Sequence, residues 1–207
     1  MHLKVLNKDQ IDLLPTIAKF KREYYLVGDT AIALQIGHRE SIDFDLFKLK
    51  SLRKSEIYKK IEQDKLKIIH GFEDYNQLNL VVNNLKLTFF QFPYQIETTK
   101  EIKGIIKMPD LLTLAAMKAF ALGRRAKWKD YVDLYFLLKN HYTVNEISEK
   151  AKQLFDVEFN EKLFKMQLSF FKGISYQEEV VYIIPNPPTD QDIKDFLNDV
   201  SLEGLVE

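Results

Sequence analysis

The sequence predicts an α+β protein, a small sheet flanked by helices and followed by a mostly helical half, and three patterns carry that prediction. Short β-type runs crowd residues 24–92, apolar residues recur at three- and four-residue intervals after Pro109, and no Pro/Gly/Ser-rich linker separates the two halves. A soft boundary near residues 100–108 gives an α/β domain over 1–107 and a helical domain over 108–207 that closes a cleft.

Taken in order, Ile11, Leu14, Ile17 and Ala18 lie at helical spacing behind Asn7 as a cap, which predicts a helix over 7–20 despite Pro15. Tyr24 to Val27 is a short strand ending at Gly28, and Thr30 to Ile36 has the Ala and Leu content of a helix entered from a tight turn. Ile42 to Phe47 alternates apolar and acidic residues, as a strand with one acidic face does. A lysine-rich helix, Ser55 to Gln63, precedes strands at 66–72, 77–82 and 85–92, with Asn83-Asn84 turning the last hairpin. Beyond Pro109, helices are predicted at 110–122, 129–140, 143–155, 160–171 and 190–202. The basic connector Gly123-Arg124-Arg125-Ala126-Lys127 interrupts them, and the proline-rich segment 184–188 is extended. The aromatic residues after 140 recur at core-like spacing, which favours a core over a base-stacking platform.

Composition excludes several function classes. The 207 residues carry 30 basic and 30 acidic side chains, so a whole-surface electrostatic grip on nucleic acid is not expected, although a local basic groove is allowed. Apolar runs are far short of the roughly 20 residues a membrane span needs, and Met1-His2-Leu3-Lys4 does not begin a secretory signal, so no membrane partner and a cytoplasmic location are expected. The absence of cysteine removes disulfides, thiolate zinc sites and cysteine nucleophiles. The four histidines are scattered, which leaves oxygen as the donor for any metal.

Oxygen donors stand out at one place. Asp43 and Asp45, two apart on a strand, present carboxylates to one face, a spacing that suits Mg²⁺ ions which also hold phosphates. A solvated acidic face on an edge strand would show the same pattern. The strand ending at Gly28, with Asp29-Thr30 opening a helix, adds backbone N–H groups and a helix N-terminus suited to a phosphate. Together they form two halves of a nucleoside-triphosphate site.

The block YLVGDTAIALQIGHRESIDFDLF, residues 25–47, resembles the AbiEii/AbiGii toxin family of nucleotidyltransferases, within the polymerase-β-like superfamily. Gly28, Thr30, His38, Arg39, Ser41, Asp43, Asp45 and Phe47 match its pattern. A second block, residues 108–138, is similar to the family's helical motif at Lys118, Arg125, Lys129, Asp130 and Asp133. The resemblance implies a nucleotidyltransferase-like mixed sheet, a metal site on one of its edges, and Mg²⁺-dependent transfer from an NTP to an RNA (tRNA included) or protein acceptor. It also implies a toxin-like role with a cognate antitoxin. Asp43 and Asp45 would then hold metal, while Gly28, Asp29, Thr30, Arg39 and Ser41 would serve the nucleotide or fix the aspartate strand. Lys118, on an apolar helix, would act as a point charge on the triphosphate with Asp130 orienting it, and Asp133 is the weaker candidate. A surface pairing of either aspartate with Lys127 or Lys129 is the plainer alternative. Arg124 and Arg125 read equally as nucleotide or RNA contacts and as solvated loop residues.

Two departures from the family pattern matter. Asp29 replaces the usual glycine or serine, and a carboxylate about 4 Å from a triphosphate charge at an effective dielectric near 20 is repelled by ~4 kcal/mol. It must point away, bind metal or weaken nucleotide binding. The segment LKLTFFQFPY also lacks a third carboxylate and offers only Thr88 and Gln91, so an active enzyme would draw its base from Asp29 or Asp130. The alternatives are a nucleotide- or protein-binding module that has lost its chemistry, and structural aspartates beside a helical interaction surface.

Overall fold

The computed structural model describes residues 1–122, 124–125 and 127–202. The chain divides into two compact units, Met1–Asp110 and Leu111–Glu207.

In the first unit, α1 (Lys8–Ala18) starts at a reciprocal cap in which Asn7 Oδ1 accepts from the Gln10 N–H and Gln10 Oε1 accepts from the Asn7 N–H. It continues through Pro15 and buries Leu13 and Ile17. β1 (Tyr25–Val27) runs straight into α2 (Gly28–Ile36), which ends at Gly37 in the left-handed conformation. β2 (Phe44–Lys48), α3 (Lys54–Glu62), β3 (Ile68–Glu73), β4 (Gln77–Val82) and β5 (Leu85–Gln91) follow. The sheet order is β1-β2-β5-β4-β3, with β2 and β5 parallel and the other neighbours antiparallel. It is the mixed sheet of an α+β protein.

Asn83 and Asn84 both have positive φ, which is what a two-residue turn of the primed type requires and asparagine tolerates. Burial alternates along β2, with Phe44 and Leu46 inward and Asp45 and Phe47 half-buried on the other face. Leu26, Leu80, Leu87 and Phe89 complete the inward face, where the Phe20 ring meets Phe89 at 4.9 Å. A hairpin of β6 (Lys100–Ile102) and β7 (Ile106–Met108), turning at Gly104, was not expected. Strands of three residues are too short to show a period.

The second unit holds α4 (Leu111–Ala121), α5 (Trp128–Asn140), α6 (Val144–Phe155), α7 (Glu161–Leu168) and α8 (Asp190–Leu202). Thr143 and Glu146 form a reciprocal cap on α6, and Asn160 caps α7. α7 stops at Leu168 instead of reaching Phe171, and the segment beyond crosses α5, where the Trp128 N–H donates to the Ser175 carbonyl at 3.1 Å. Phe155, Phe159 and Phe164 are core residues as expected, but Phe170 and Tyr176 are half exposed. Tyr176 stacks on Trp128 with ring centres 5.2 Å apart. Among the described residues no helix is long and apolar enough to cross a membrane.

Candidate active site

The first unit builds its site around the junction of β1 and α2. Because α2 begins at Gly28 with no intervening loop, its first turn lies beside β2, where Val27 pairs with Asp45. Gly28 has φ +71, and a Cβ there would stand 2.3 Å from Asp45 Oδ2. Only glycine satisfies both conditions, so the backbone forms a cradle in which the Asp45 carboxylate rests. Thr30 closes the arrangement from within: its hydroxyl donates to the Asp43 carbonyl and shares a 2.8 Å hydrogen bond with Ser41, whose own carbonyl accepts from Gln10 Nε2 at 2.7 Å. Thr30 and Ser41 are both buried. They fix the strand that carries the aspartates, and their hydroxyls are turned inward.

Arg39 answers the difficulty posed by Asp29. Its guanidinium, fully buried, holds Asp29 Oδ2 at 2.8 Å and donates to the Glu40 carbonyl at 3.0 Å. The Asp29 carboxylate is therefore matched by a buried cation, which removes the unopposed repulsion expected next to a triphosphate. A nucleotide cannot reach a fully buried Arg39 in this arrangement. His38 beside it is also buried.

β2 is an interior strand between β1 and β5, which rules out the edge-strand explanation of its acidic face and the expected edge position of the metal site. Asp43 precedes the strand and Asp45 lies within it, both half-buried. On the parallel neighbour β5 the residue opposite Asp45 is Thr88, while Gln91 opposes Lys48 on the other face. A hydroxyl stands where a third carboxylate was sought. Among the described residues no three His, Asp or Glu side chains converge as a metal cluster. Two partly open carboxylates of fixed spacing fit Mg²⁺, which keeps several waters and uses substrate phosphates for its remaining positions.

The second unit gathers a different constellation. Lys118 Nζ, nearly fully buried on apolar α4, lies 2.8 Å from Asp130 Oδ1 and 2.8 Å from Asp133 Oδ2 of α5. Arg125 grips Asp130 with two further 2.8 Å hydrogen bonds, to Oδ2 from Nε and to Oδ1 from Nη2. Two cations thus face two anions inside the unit. The surface pairing considered for the aspartates does not occur, because Lys127 and Lys129 turn to Glu178. Asp130 meets Lys118, and Asp133, the weaker candidate, is an equal partner of that ammonium. Asp29 and Asp130, considered as bases, both have oxygens taken by guanidinium donors. Arg124 lies over the Phe120 ring at 3.9 Å, separating its role from that of Arg125, and Gly123 and Ala126 of the connector lie outside the described residues.

Sequence reasoning missed Lys86, whose Nζ stands 3.8 Å from Asp43 Oδ2. Its signal was a lysine two residues before Thr88 on a strand, and only the parallel register places it beside the aspartates.

Comparisons with known proteins agree with this architecture. The family model described as "Nucleotidyl transferase AbiEii toxin, Type IV TA system" matches residues 13–204. An uncharacterized protein of Aquifex aeolicus is 29% identical over 160 residues, covering 73% of this chain and 76% of that protein. A solved Helicobacter pylori structure, a candidate nucleotidyltransferase, superposes with a TM-score of 0.61 at 15% identity, covering 97% of this chain and 92% of the other. The nucleotidyltransferase toxin MenT4 of Mycobacterium tuberculosis superposes with a TM-score of 0.57 at 11% identity, covering 93% and 82%.

Proposed function

The chain belongs to the AbiEii nucleotidyltransferase toxin family, and from that premise we propose that it transfers a nucleotide from an NTP to an RNA or protein acceptor with Mg²⁺ as cofactor. The observation that carries the reading is the Asp45 carboxylate resting against Gly28, beside Asp43 on a partly open sheet face. Asp43 and Asp45 would hold the cation, which when bound neutralises triphosphate charge. The start of α2 offers backbone N–H groups to a phosphate, with Asp29 held off by Arg39. Thr30, Arg39 and Ser41 serve as positioning residues. In the second unit Lys118 and Asp130 form the charged core, and Arg125, 44% exposed, is the member of that network able to meet a phosphate. Transfer would join the acceptor's hydroxyl oxygen to the α-phosphorus as the bond to pyrophosphate breaks. Positioning and charge neutralisation are the protein's main contributions to such chemistry. The toxin family further supports a cognate antitoxin as partner and a cytoplasmic place of action.

Thr88 opposite Asp45 favours a second reading, a catalytically impaired module that binds nucleotide or protein. Incubation with α-labelled NTPs, Mg²⁺, and cellular RNA and protein fractions separates the two. Label should pass to one fraction with the wild type and not with Asp43→Asn/Asp45→Asn. If no fraction takes label while Mg²⁺ and an NTP still raise the melting temperature, the transferase reading gives way to the binding module.

A further inference from the structure

Resting on the metal-nucleotide reading above, the register of β2 and β5 brings one more residue to the site. Phe44 pairs with Leu87 and Asp45 with Thr88, so Lys86 and Thr88 share the sheet face of Asp43 and Asp45. Lys86 is the charged residue that β5 supplies to this face. Its Nζ stands 3.8 Å from Asp43 Oδ2, and the two side chains are 43% and 38% exposed. That range is an ion pair without a direct hydrogen bond, on a flexible stem with solvent around it. The lysine can leave Asp43 without stranding a buried charge.

We propose that Lys86 is a positioning residue that exchanges between Asp43 and the triphosphate. It partners Asp43 while no cation is bound, and it turns to a phosphate oxygen once that carboxylate is ligating. The exchange has two consequences of opposite sign. Without nucleotide, Lys86 competes with a divalent cation for Asp43, so its removal tightens cation binding. With nucleotide, its removal deletes a phosphate contact, so binding of the metal-nucleotide complex weakens. A residue that only packs would move neither quantity, or both together.

The test uses the full chain as wild type, Lys86→Gln and Lys86→Arg, with Mn²⁺ binding followed by electron paramagnetic resonance in the absence of nucleotide. Binding of ATP, GTP, CTP and UTP in turn with Mg²⁺ is followed by calorimetry. Lys86→Gln should lower the Mn²⁺ Kd by about two- to five-fold, the range of a partly exposed ion pair, and raise the nucleotide Kd. Lys86→Arg, which keeps the charge, should stay near wild type in both. An unchanged or weaker Mn²⁺ affinity in Lys86→Gln, or an unchanged nucleotide affinity, overturns the exchange. The two failures are distinguishable. If wild-type Mn²⁺ binding is absent, or survives Asp43→Asn/Asp45→Asn, the metal site itself falls and this inference with it. If the wild type binds through the aspartates but Lys86→Gln changes nothing, only the inference falls.

Discussion

In the first unit Asp43 and Asp45 keep their carboxylates on a half-open sheet face, whereas in the second Asp130 and Asp133 have virtually no exposure and meet Lys118 at 2.8 Å each. Both pairs are short-spaced aspartates, two apart at the start of a strand and three apart on a helix, yet their surroundings differ. At β2 one structural device is the glycine backbone of Gly28, whose missing Cβ leaves room for the Asp45 carboxylate. At α5 the devices are cations, Lys118 and Arg125, each hydrogen-bonded to Asp130. A carboxylate on a half-open face can take a metal, while a buried pair gripped by Lys118 and Arg125 makes a scaffold.

The largest test of that contrast is Lys118→Met. Asp133 and Asp130, both buried, would each lose the ammonium at 2.8 Å. Removing one partner of a buried pair costs about 3–5 kcal/mol, which urea denaturation should register through Trp128, the chain's single tryptophan and part of the same unit. A loss below about 1 kcal/mol, the range of surface pairs, would mean that the network is not the scaffold described.

Gly28→Ala comes next. The left-handed backbone alone costs an alanine about 1–2 kcal/mol, and the new methyl must also displace Asp45 Oδ2 from 2.3 Å. The expected outcome is a lower midpoint in denaturation together with weakened Mn²⁺ binding. Retained Mn²⁺ affinity at reduced stability would show that the cradle supports the fold and not the carboxylate.

The smallest effect concerns a half-buried counterpart of the buried network. Lys48, Arg53 and Lys60 converge on Glu23, and the hydrogen bond from Lys48 leads the interactions that hold its carboxyl down to about 2. Because the folded value lies below the ordinary one of 4.5, this contribution is fully present above pH 4.5 and is lost as pH falls toward 2. Glu23→Gln should therefore flatten the fall of stability in that window. An identical acid profile in the variant would remove Glu23 from the account. The effect should be well below that of Lys118→Met, since solvent reaches Glu23, Arg53 and Lys60 even though Lys48 is buried.

Much of this protein is determined by its sequence alone. Alternation across β2, the Asn83-Asn84 turn, the cap at Asn7 and the period of α4 to α6 are local physics, readable because each depends on residues a few positions apart. The aspartate pair and Gly28 were legible for the same reason. What only the tertiary structure decided are relations between distant segments. That Asp29 is neutralised by buried Arg39, that Asp133 shares Lys118 equally with Asp130, and that Lys86 and Thr88 flank the aspartates all follow from which helix face or strand lies alongside which. A charge in a sequence has no partner until chain packing supplies one, and burial then sets whether that partner locks it or leaves it able to act.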